Sequence, residues 1–451
     1  MSTLMEMDKQ EFKLDPDCEL RFEVKHKKEK VLLKLKSGFA EIFGTELVNK
    51  EDPYEFGYGA QIAVFTYHGC VVELTGKAVG VHVANETPMH AYLNAHLALE
   101  AMRDEANKKY LAEINGREEA KKKDDDAKKK EATEPSNVRG PIVMIVGPKN
   151  VGKSTLCRIL LNYAVRSGRS PILVDLDVDQ GQVTIPGNIG ALTVQRFADV
   201  VEGFSKKGSL ALHFGHKTPE SNPALYNLQV SRLADICFDR MKEKKKDNIS
   251  GIIINTCGWV PDEGHKLLVH AAGAFEVDAV LVLDKDRLRS DLKASLPSFV
   301  KVVLLPKSGG VVETSEAQRP EIRDQRIREY YYGIGKTVLS PHPMIIKWNQ
   351  VTIYKIGMAI VPDSCVPLGT KPEENMTKLV TVTPEPNWLH HILSVSYAKS
   401  YDEVLYKNIA SFLCVTEVDM VQQTLRVLSP TLGQLPGHIL LLSEIQFMDN
   451  Y

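Results

Sequence analysis

The sequence predicts an α/β protein in three parts: a central domain on a parallel sheet, flanked by an N-terminal β-sandwich-like domain and a C-terminal β-rich domain. Three observations predict it. Between residues 141 and 340, unbroken apolar runs alternate with amphipathic stretches, the pattern of strands buried on both faces by helices. On either side of that region the apolar runs are short, rich in Val, Ile, Leu and Phe, and cut by turn-forming residues. Between the first and second regions the composition turns abruptly to blocks of charge at 117–134. These changes divide the chain into 1–103, a charged helix or linker at 104–140, 141–340 and 341–451.

Composition bounds the answer further. At ~100–200 residues per domain, 451 residues make two to four domains. Hydrophobic residues at 43% and charged ones at 25% exclude a mostly disordered chain. Lys and Arg total 56 against 58 Asp and Glu, so no basic coat announces a nucleic-acid or membrane-surface protein, although a local basic channel fits within a neutral total. The seven cysteines are scattered, with no Cys-x-x-Cys pair, which argues against a disulfide framework and a structural zinc site and for a reducing compartment. Residues 1–13 do not resemble a signal peptide, and no apolar run approaches the ~18–20 residues of a spanning helix. The expectation is an intracellular soluble protein with no membrane partner.

In the N-terminal region, runs at 20–24, 31–35, 60–65 and 70–74 read as strands, with glycines 38, 44, 57, 59, 69 and 76 at turns or bulges. A helix follows from Met89 to about Lys109, carrying Leu93, Leu97, Leu99 and Met102 near helical spacing. The alternating lysine and aspartate triplets after it read as a solvated helix extension or flexible linker rather than a nucleic-acid-binding tail, because opposite charges cancel. The central strands are expected at 142–146, 172–176, 251–255, 279–283 and 301–305. Seven more, at 344–348, 351–356, 379–382, 392–397, 410–415, 424–428 and 439–447, make up the last region, and no internal repeat is present.

The strongest chemical signal is Gly147-Pro148-Lys149-Asn150-Val151-Gly152-Lys153-Ser154, which matches G-x-x-x-x-G-K-[ST]. It follows an apolar strand and precedes a helix-compatible segment at 155–167 that opens with Thr155. Glycines let the backbone wrap a phosphate so that successive N–H groups and a helix N-terminus face its oxygens. Lys153 then reaches the β- and γ-phosphates and Ser154 offers a hydroxyl to Mg²⁺. This is the pattern of a nucleoside triphosphate site.

Other elements decide among reactions. Guanine reading by Asn-Lys-x-Asp is lacking, since Leu283-Asp284-Lys285-Asp286 has neither the Asn nor the spacing, and no Asp-x-x-Gly switch follows an early strand. A motor-type ATPase ends a long apolar strand in Asp and Glu, whereas 251–254 runs into Asn255-Thr256-Cys257-Gly258-Trp259. Carboxylates stand instead at Asp175, Asp177 and Asp179, where the strand at 172–176 leaves the sheet. Asp177 is the candidate to take the proton of an attacking hydroxyl and help hold Mg²⁺; Asp175 and Asp179 read better as a solvated strand end. Arg319, Arg323 and Arg326 recur at helical spacing, with Pro320 near the helix start. Two readings stand: a lid that stabilises charge on a transferring phosphoryl group, or a solvated, salt-bridged helix. Trp259 likewise either caps the core or stacks on a base.

Taken together these residues resemble the polynucleotide 5′-hydroxyl kinase family of the pre-mRNA cleavage and tRNA-splicing machinery, over nearly the whole chain. The anchors are the segments at 19–22, 40–47 and 147–155, Asp177-Val178 with Gln180-Gly181, and the segments at 255–259, 274–278, 306–310 and 328–330. The resemblance implies a central P-loop kinase domain, ATP and Mg²⁺ as cofactors, and transfer of the γ-phosphate to the 5′-hydroxyl of RNA in mRNA 3′-end processing and tRNA splicing. It implies a nuclear protein whose partners are RNA 5′ ends, cleavage-factor subunits and the tRNA-splicing endonuclease. By carry-over, Gly147, Asn150, Val151, Gly152, Lys153, Ser154 and Thr155 hold ATP, with Ser154 and Asp177 at the metal. Asp177 orients and deprotonates the 5′-hydroxyl, Trp259 stacks on the terminal base with Thr218 a further substrate contact, and Arg319 and Arg323 are the lid arginines. Glu19 is the adenine contact, a role that the residues alone do not suggest.

Two departures stand out. Members of that family commonly carry Gly where this chain has Asp179, which adds a negative charge beside the strand exit. A small hydroxyl residue is expected where Lys217 stands. With Lys153, Ser154, Asp177 and both lid arginines present, activity is expected; the alternatives are an ATP-bound scaffold without catalysis and, third, a GTPase.

Overall fold

The computed structural model describes residues 9–123, 138–260, 262–357 and 372–449. At its centre is a seven-stranded sheet in the order Leu210–His213, Asn188–Thr193, Ile172–Asp175, Ile252–Asn255, Ile142–Val146, Ala279–Leu283, Lys301–Leu305. The last five of these are parallel, while Asn188–Thr193 and Leu210–His213 add on antiparallel at one edge. All five parallel strands lie where the apolar runs place them. The antiparallel pair was not expected; Asn188–Thr193 follows Pro186 and Gly187 and contains Gly190.

Ile142–Val146, Ile172–Asp175, Ile252–Asn255 and Ala279–Leu283 are buried along their whole length, so their carboxyl ends are the places where polar side chains meet. One face packs the helices Pro223–Glu243 and Glu263–Ala274; the other packs Lys153–Arg166 and the early turns of Met89–Lys123.

The N-terminal β-domain is two sheets facing one core of Leu20, Phe22, Val31, Leu33, Val64 and Val72. One sheet has four strands, ordered Lys9–Leu14, Cys70–Thr75, Val31–Gly38, Tyr54–Phe56; the other has five, centred on Cys18–Glu23 and Gln61–Thr66. The helix Met89–Lys123 runs well past the expected end near Lys109, into the charged run. Glu, Lys and Ala are strong helix formers, and Glu105–Lys109 forms an i,i+4 pair. Its Arg103, fully buried, donates to the Ser250 carbonyl and pairs with Glu100, which also accepts from Arg169. The remainder of the 104–140 expectation, at 124–137, lies outside the described residues.

The C-terminal region forms one seven-stranded sheet, ordered His342–Lys347, Thr424–Ser429, Ile409–Asp419, His391–Ser396, Ile439–Gln446, Thr352–Ile356, Leu379–Thr381. Each of the seven strands matches an expected run. Six cysteines are free and buried among the described residues. No helix there is long and apolar enough to cross a membrane.

Candidate nucleotide-binding site

The loop at 147–152 leaves the strand Ile142–Val146 and enters the helix Lys153–Arg166 through Gly152, whose φ of 87° is a left-handed geometry suited to glycine. Gly152 lacks a side chain to cap the helix, so no side chain covers its first-turn N–H groups. Close packing of the loop depends on a second glycine, Gly258: a Cβ there would meet the Lys149 backbone nitrogen at 2.8 Å. Lys153 is buried and turned back on the loop, donating to the carbonyls of Gly147 (3.0 Å) and Pro148 (2.7 Å). Burial lowers its pKa, and the nearby Asp177 opposes that shift.

A cleft of about 440 Å³ opens beside the loop. Asn150 to Thr155, Asp177, Asp179, Thr218, Trp259, Arg319 and Arg323 all line it. Every sequence-predicted site residue is thus at this cleft except two. Gly147 contributes its carbonyl to Lys153 from behind. Glu19 is buried in the N-terminal domain, its carboxylate engaged by Arg21 and Thr87, and does not line the cleft. Arg21 lies against Gly309 and Gly310, so the Glu19–Arg21 pair abuts the loop that leads into the arginine helix. Gln61 of the same domain does reach the cleft, as does Lys217; no motif signals Gln61, because a single polar residue on a strand carries no spacing.

The three acids at the strand exit have separate jobs, and two expectations are corrected. Asp175 is no solvated strand end: it is buried and accepts from Asn255 Nδ2 (2.9 Å) and from the backbone of Gln182 (2.6 Å) and Asp177 (3.2 Å). It staples the loop 176–183 to the neighbouring strand, which explains the Asn at 255. Asp179 is also no solvated acid. Arg319 Nη1 donates to its Oδ2 and Arg323 Nη1 to its Oδ1, both at 2.6 Å. Asp177, between them, is buried and accepts one backbone bond, from Asp179 (3.0 Å). Burial, with the adjacent Asp175, pushes its carboxyl up to about 7, against the pull of Lys153.

The helix Arg319–Tyr332 closes the cleft. Its first two arginines face Asp179, while Arg326, grouped with them by spacing, pairs instead with Glu329 (2.9 Å). Arg319 is 9% exposed, and its Nε has no hydrogen-bond partner among the described residues, a spare donor on a buried cation at the cleft. The helix is held from outside as well, since Tyr58 donates to Glu321 (2.8 Å) and Lys27 pairs with it (3.1 Å). Trp259 packs against the central core and also lines the cleft. Across from it, Glu444 of the C-terminal sheet accepts from the Lys217 backbone (2.6 Å) and contacts His216 (3.2 Å), fixing the loop that bears Thr218.

This combination of open helix N-terminus, buried amine, basic lid and unshared carboxylate is chemistry for a phosphate chain. Comparison with known proteins places it. The N-terminal region matches the model of the N-terminal beta-sandwich domain of polyadenylation factor (13–106), the centre that of the mRNA cleavage and polyadenylation factor CLP1 P-loop (147–333), and the end that of the pre-mRNA cleavage complex II protein Clp1 (339–449). Protein CLP1 homolog of Anopheles gambiae is 51% identical over 442 residues, covering 98% of each chain, and that of Culex quinquefasciatus is 51% identical over 447 residues, covering 99% of each. The chain belongs to the Clp1 family. Its fold is that of Clp1p solved in complex with Pcf11p, with a TM-score of 0.80 at 23% identity over 99% of this chain and 100% of that one. A second such structure, also at 0.80 with 23% identity and covering 98% of this chain and 99% of that one, concerns the extended interface between Pcf11p and Clp1p and ATP loss in a point mutant. The matched P-loop domain, at 147–333, implies nucleotide binding, and the cleft described above lies within it.

Proposed function

We propose that this Clp1-family chain is an ATP-dependent polynucleotide kinase that transfers the γ-phosphate of ATP to the 5′-hydroxyl of RNA, in mRNA 3′-end processing and tRNA splicing. One observation carries the reading: a buried carboxyl with a pKa near 7 stands in the same cleft as the P-loop and two lid arginines. A general base works best with its pKa near the working pH. Neither a motor nor a switch GTPase asks for such an acid at this strand exit.

The residues divide the work. The first-turn N–H groups of the helix Lys153–Arg166, with Asn150, Val151, Gly152 and Thr155, cradle the phosphates, and Lys153 swings off its loop carbonyls onto them. The unpartnered Nε of Arg319 fits the same polyanion. Ser154 and Asp177 would hold Mg²⁺, a carboxylate and a hydroxyl being enough beside phosphate oxygens and water. Bound there, the ion supplies charge neutralisation on the phosphate oxygens. Trp259 and Thr218 bind the terminal nucleotide on the open side. Asp177 orients the 5′-hydroxyl and accepts its proton, and Arg319 and Arg323 offset charge spread over the equatorial oxygens while their helix keeps water out.

Purified protein with labelled ATP is expected to phosphorylate a 5′-hydroxyl RNA oligonucleotide. Lys153→Ala and Asp177→Asn each lower the rate at least ~10³-fold. Transfer to neither RNA nor DNA, with ATP demonstrably bound, removes the reading. A second reading, an ATP-bound scaffold, is favoured by the solved relatives, in which Clp1p is held by Pcf11p. It predicts capture of cleavage-factor subunits that survives Asp177→Asn. A nuclear location follows from either role, and the tRNA-splicing endonuclease would be a partner only if transfer occurs.

A further inference from the structure

We propose that Asp179 is a positioning residue for the lid, a built-in counter-anion that holds Arg319 and Arg323 over the cleft until the terminal phosphate of a nucleoside triphosphate takes them from it. The inference rests on the kinase reading for the identity of the displacing ligand, but the clasp itself stands on geometry.

The two carboxylate oxygens of Asp179 are divided between two guanidiniums, Oδ2 to Arg319 and Oδ1 to Arg323, at 2.6 Å each. Asp179 lies 140 residues from Arg319 in sequence, so the pair ties the lid to the exit of the central sheet rather than bracing one element. Both guanidiniums are nearly enclosed, at 10% and 16% side-chain exposure, and Asp179 at 20%, so solvent screens the charges little. Charge-assisted bonds of this kind are about twice as strong as neutral ones.

The same two cations are those a γ-phosphoryl group needs. A carboxylate carries one negative charge and two acceptor atoms; a terminal phosphate offers more of both, so it wins the exchange. It does so less cheaply than if the arginines stood free. ADP, with no γ-phosphate to reach the lid, leaves the clasp shut. Asp179 therefore makes the state of the lid depend on the nucleotide, at a cost in ATP affinity: ADP meets a closed lid, ATP opens and re-forms it. Glu321, held from the N-terminal domain by Tyr58 and Lys27, anchors the first turn of the same helix. The lid thus swings between fixed supports instead of leaving the molecule.

Two measurements test this on the full-length protein. In Asp179→Asn, which keeps the shape and removes the charge, equilibrium binding of ATP is expected to tighten roughly tenfold and that of ADP less than about threefold, because only ATP competes for the arginines. Asp179→Glu, retaining a carboxylate, returns the ratio toward wild type. Without added nucleotide, amide hydrogen exchange across 319–332 rises in Asp179→Asn and stays protected in the wild type and in Asp179→Glu. An unchanged ATP-to-ADP ratio, or weaker binding of both nucleotides, overturns the competition. Equal protection of the lid in all three proteins overturns the clasp, whatever the nucleotide data. Opening of the lid in a protein that binds no nucleotide leaves the clasp standing and removes the kinase reading instead.

Discussion

Asp177 stands two residues from each of two acids that are already spoken for, while its own carboxylate accepts a hydrogen bond from the Asp179 backbone. Asp175 is consumed by Asn255 and backbone N–H groups, Asp179 by the lid. The folded protein holds the Asp177 proton up to about pH 7, whereas an unfolded chain releases it in the ordinary carboxylate range. Folding therefore takes up a proton between those limits, and stability falls as pH rises through about 7. Asp177→Asn, which never charges, should melt above the wild type at pH 8, by at most about 4 kcal/mol, and the two curves should draw together toward pH 4. Scanning calorimetry across that range checks it. On the kinase reading, the acid limb of kcat/KM lies near pH 7 and disappears in the same variant. Asp177 was legible in the sequence because a strand exit followed by an acid carries its own logic. The roles of Asp175 and Asp179 were not, since their partners lie 80 and 140 residues away.

At the scale of elements, the parallel strands were readable because burial on both faces leaves no polar position in the run, a signal that needs no partner. The antiparallel edge was hidden behind Gly and Pro, whose turn signals outweigh a short apolar stretch. The long helix exceeded its expected end because charge blocks say nothing against helix when Lys, Glu and Ala carry them. Two substitutions test how elements position the site. Gly258→Ala drives a methyl into the Lys149 backbone, so the loop must shift; nucleotide affinity should fall ~10-fold or more with the melting profile little changed, as isothermal titration would show. Arg103→Ala removes a fully buried guanidinium from Glu100 and the Ser250 carbonyl, and should cost about 3 kcal/mol in denaturant unfolding without altering affinity for nucleotide in the folded fraction.

The whole molecule is organised about one helix, Lys153–Arg166, whose first turn faces the cleft and whose far side faces the N-terminal domain. The segment at 40–47, a family anchor with no evident chemistry in the sequence, has its explanation there. Asn162, fully buried, donates to the Phe43 carbonyl (2.8 Å) and the Thr45 hydroxyl (3.0 Å) and accepts from the Ala198 backbone (2.8 Å). Gly44 is needed beside it, since a Cβ would meet that of Asn162 at 3.0 Å. Tyr163 and Arg166 both donate to Glu41, whose carboxyl burial pushes up in pKa. A strand-and-turn pattern discloses a domain; it does not disclose which face meets another domain, because the partner groups are spread along the chain. Asn162→Leu keeps the volume but removes the partners of the Phe43 carbonyl and the Ala198 N–H, while the Thr45 hydroxyl keeps its bond to the Ala198 carbonyl; each group left unpaired is worth about 1–3 kcal/mol. The loss falls on the interface, not on either core. Calorimetry of the wild type should show the N-terminal and central domains unfolding together, and the variant should resolve an earlier transition for one of them. Because Gln61 and the supports of the lid, Tyr58 and Lys27, come from the N-terminal domain, nucleotide should bind more weakly in that variant even though residue 162 lies well down the helix from the cleft. Separate melting with full affinity would mean that the central domain builds its site unaided.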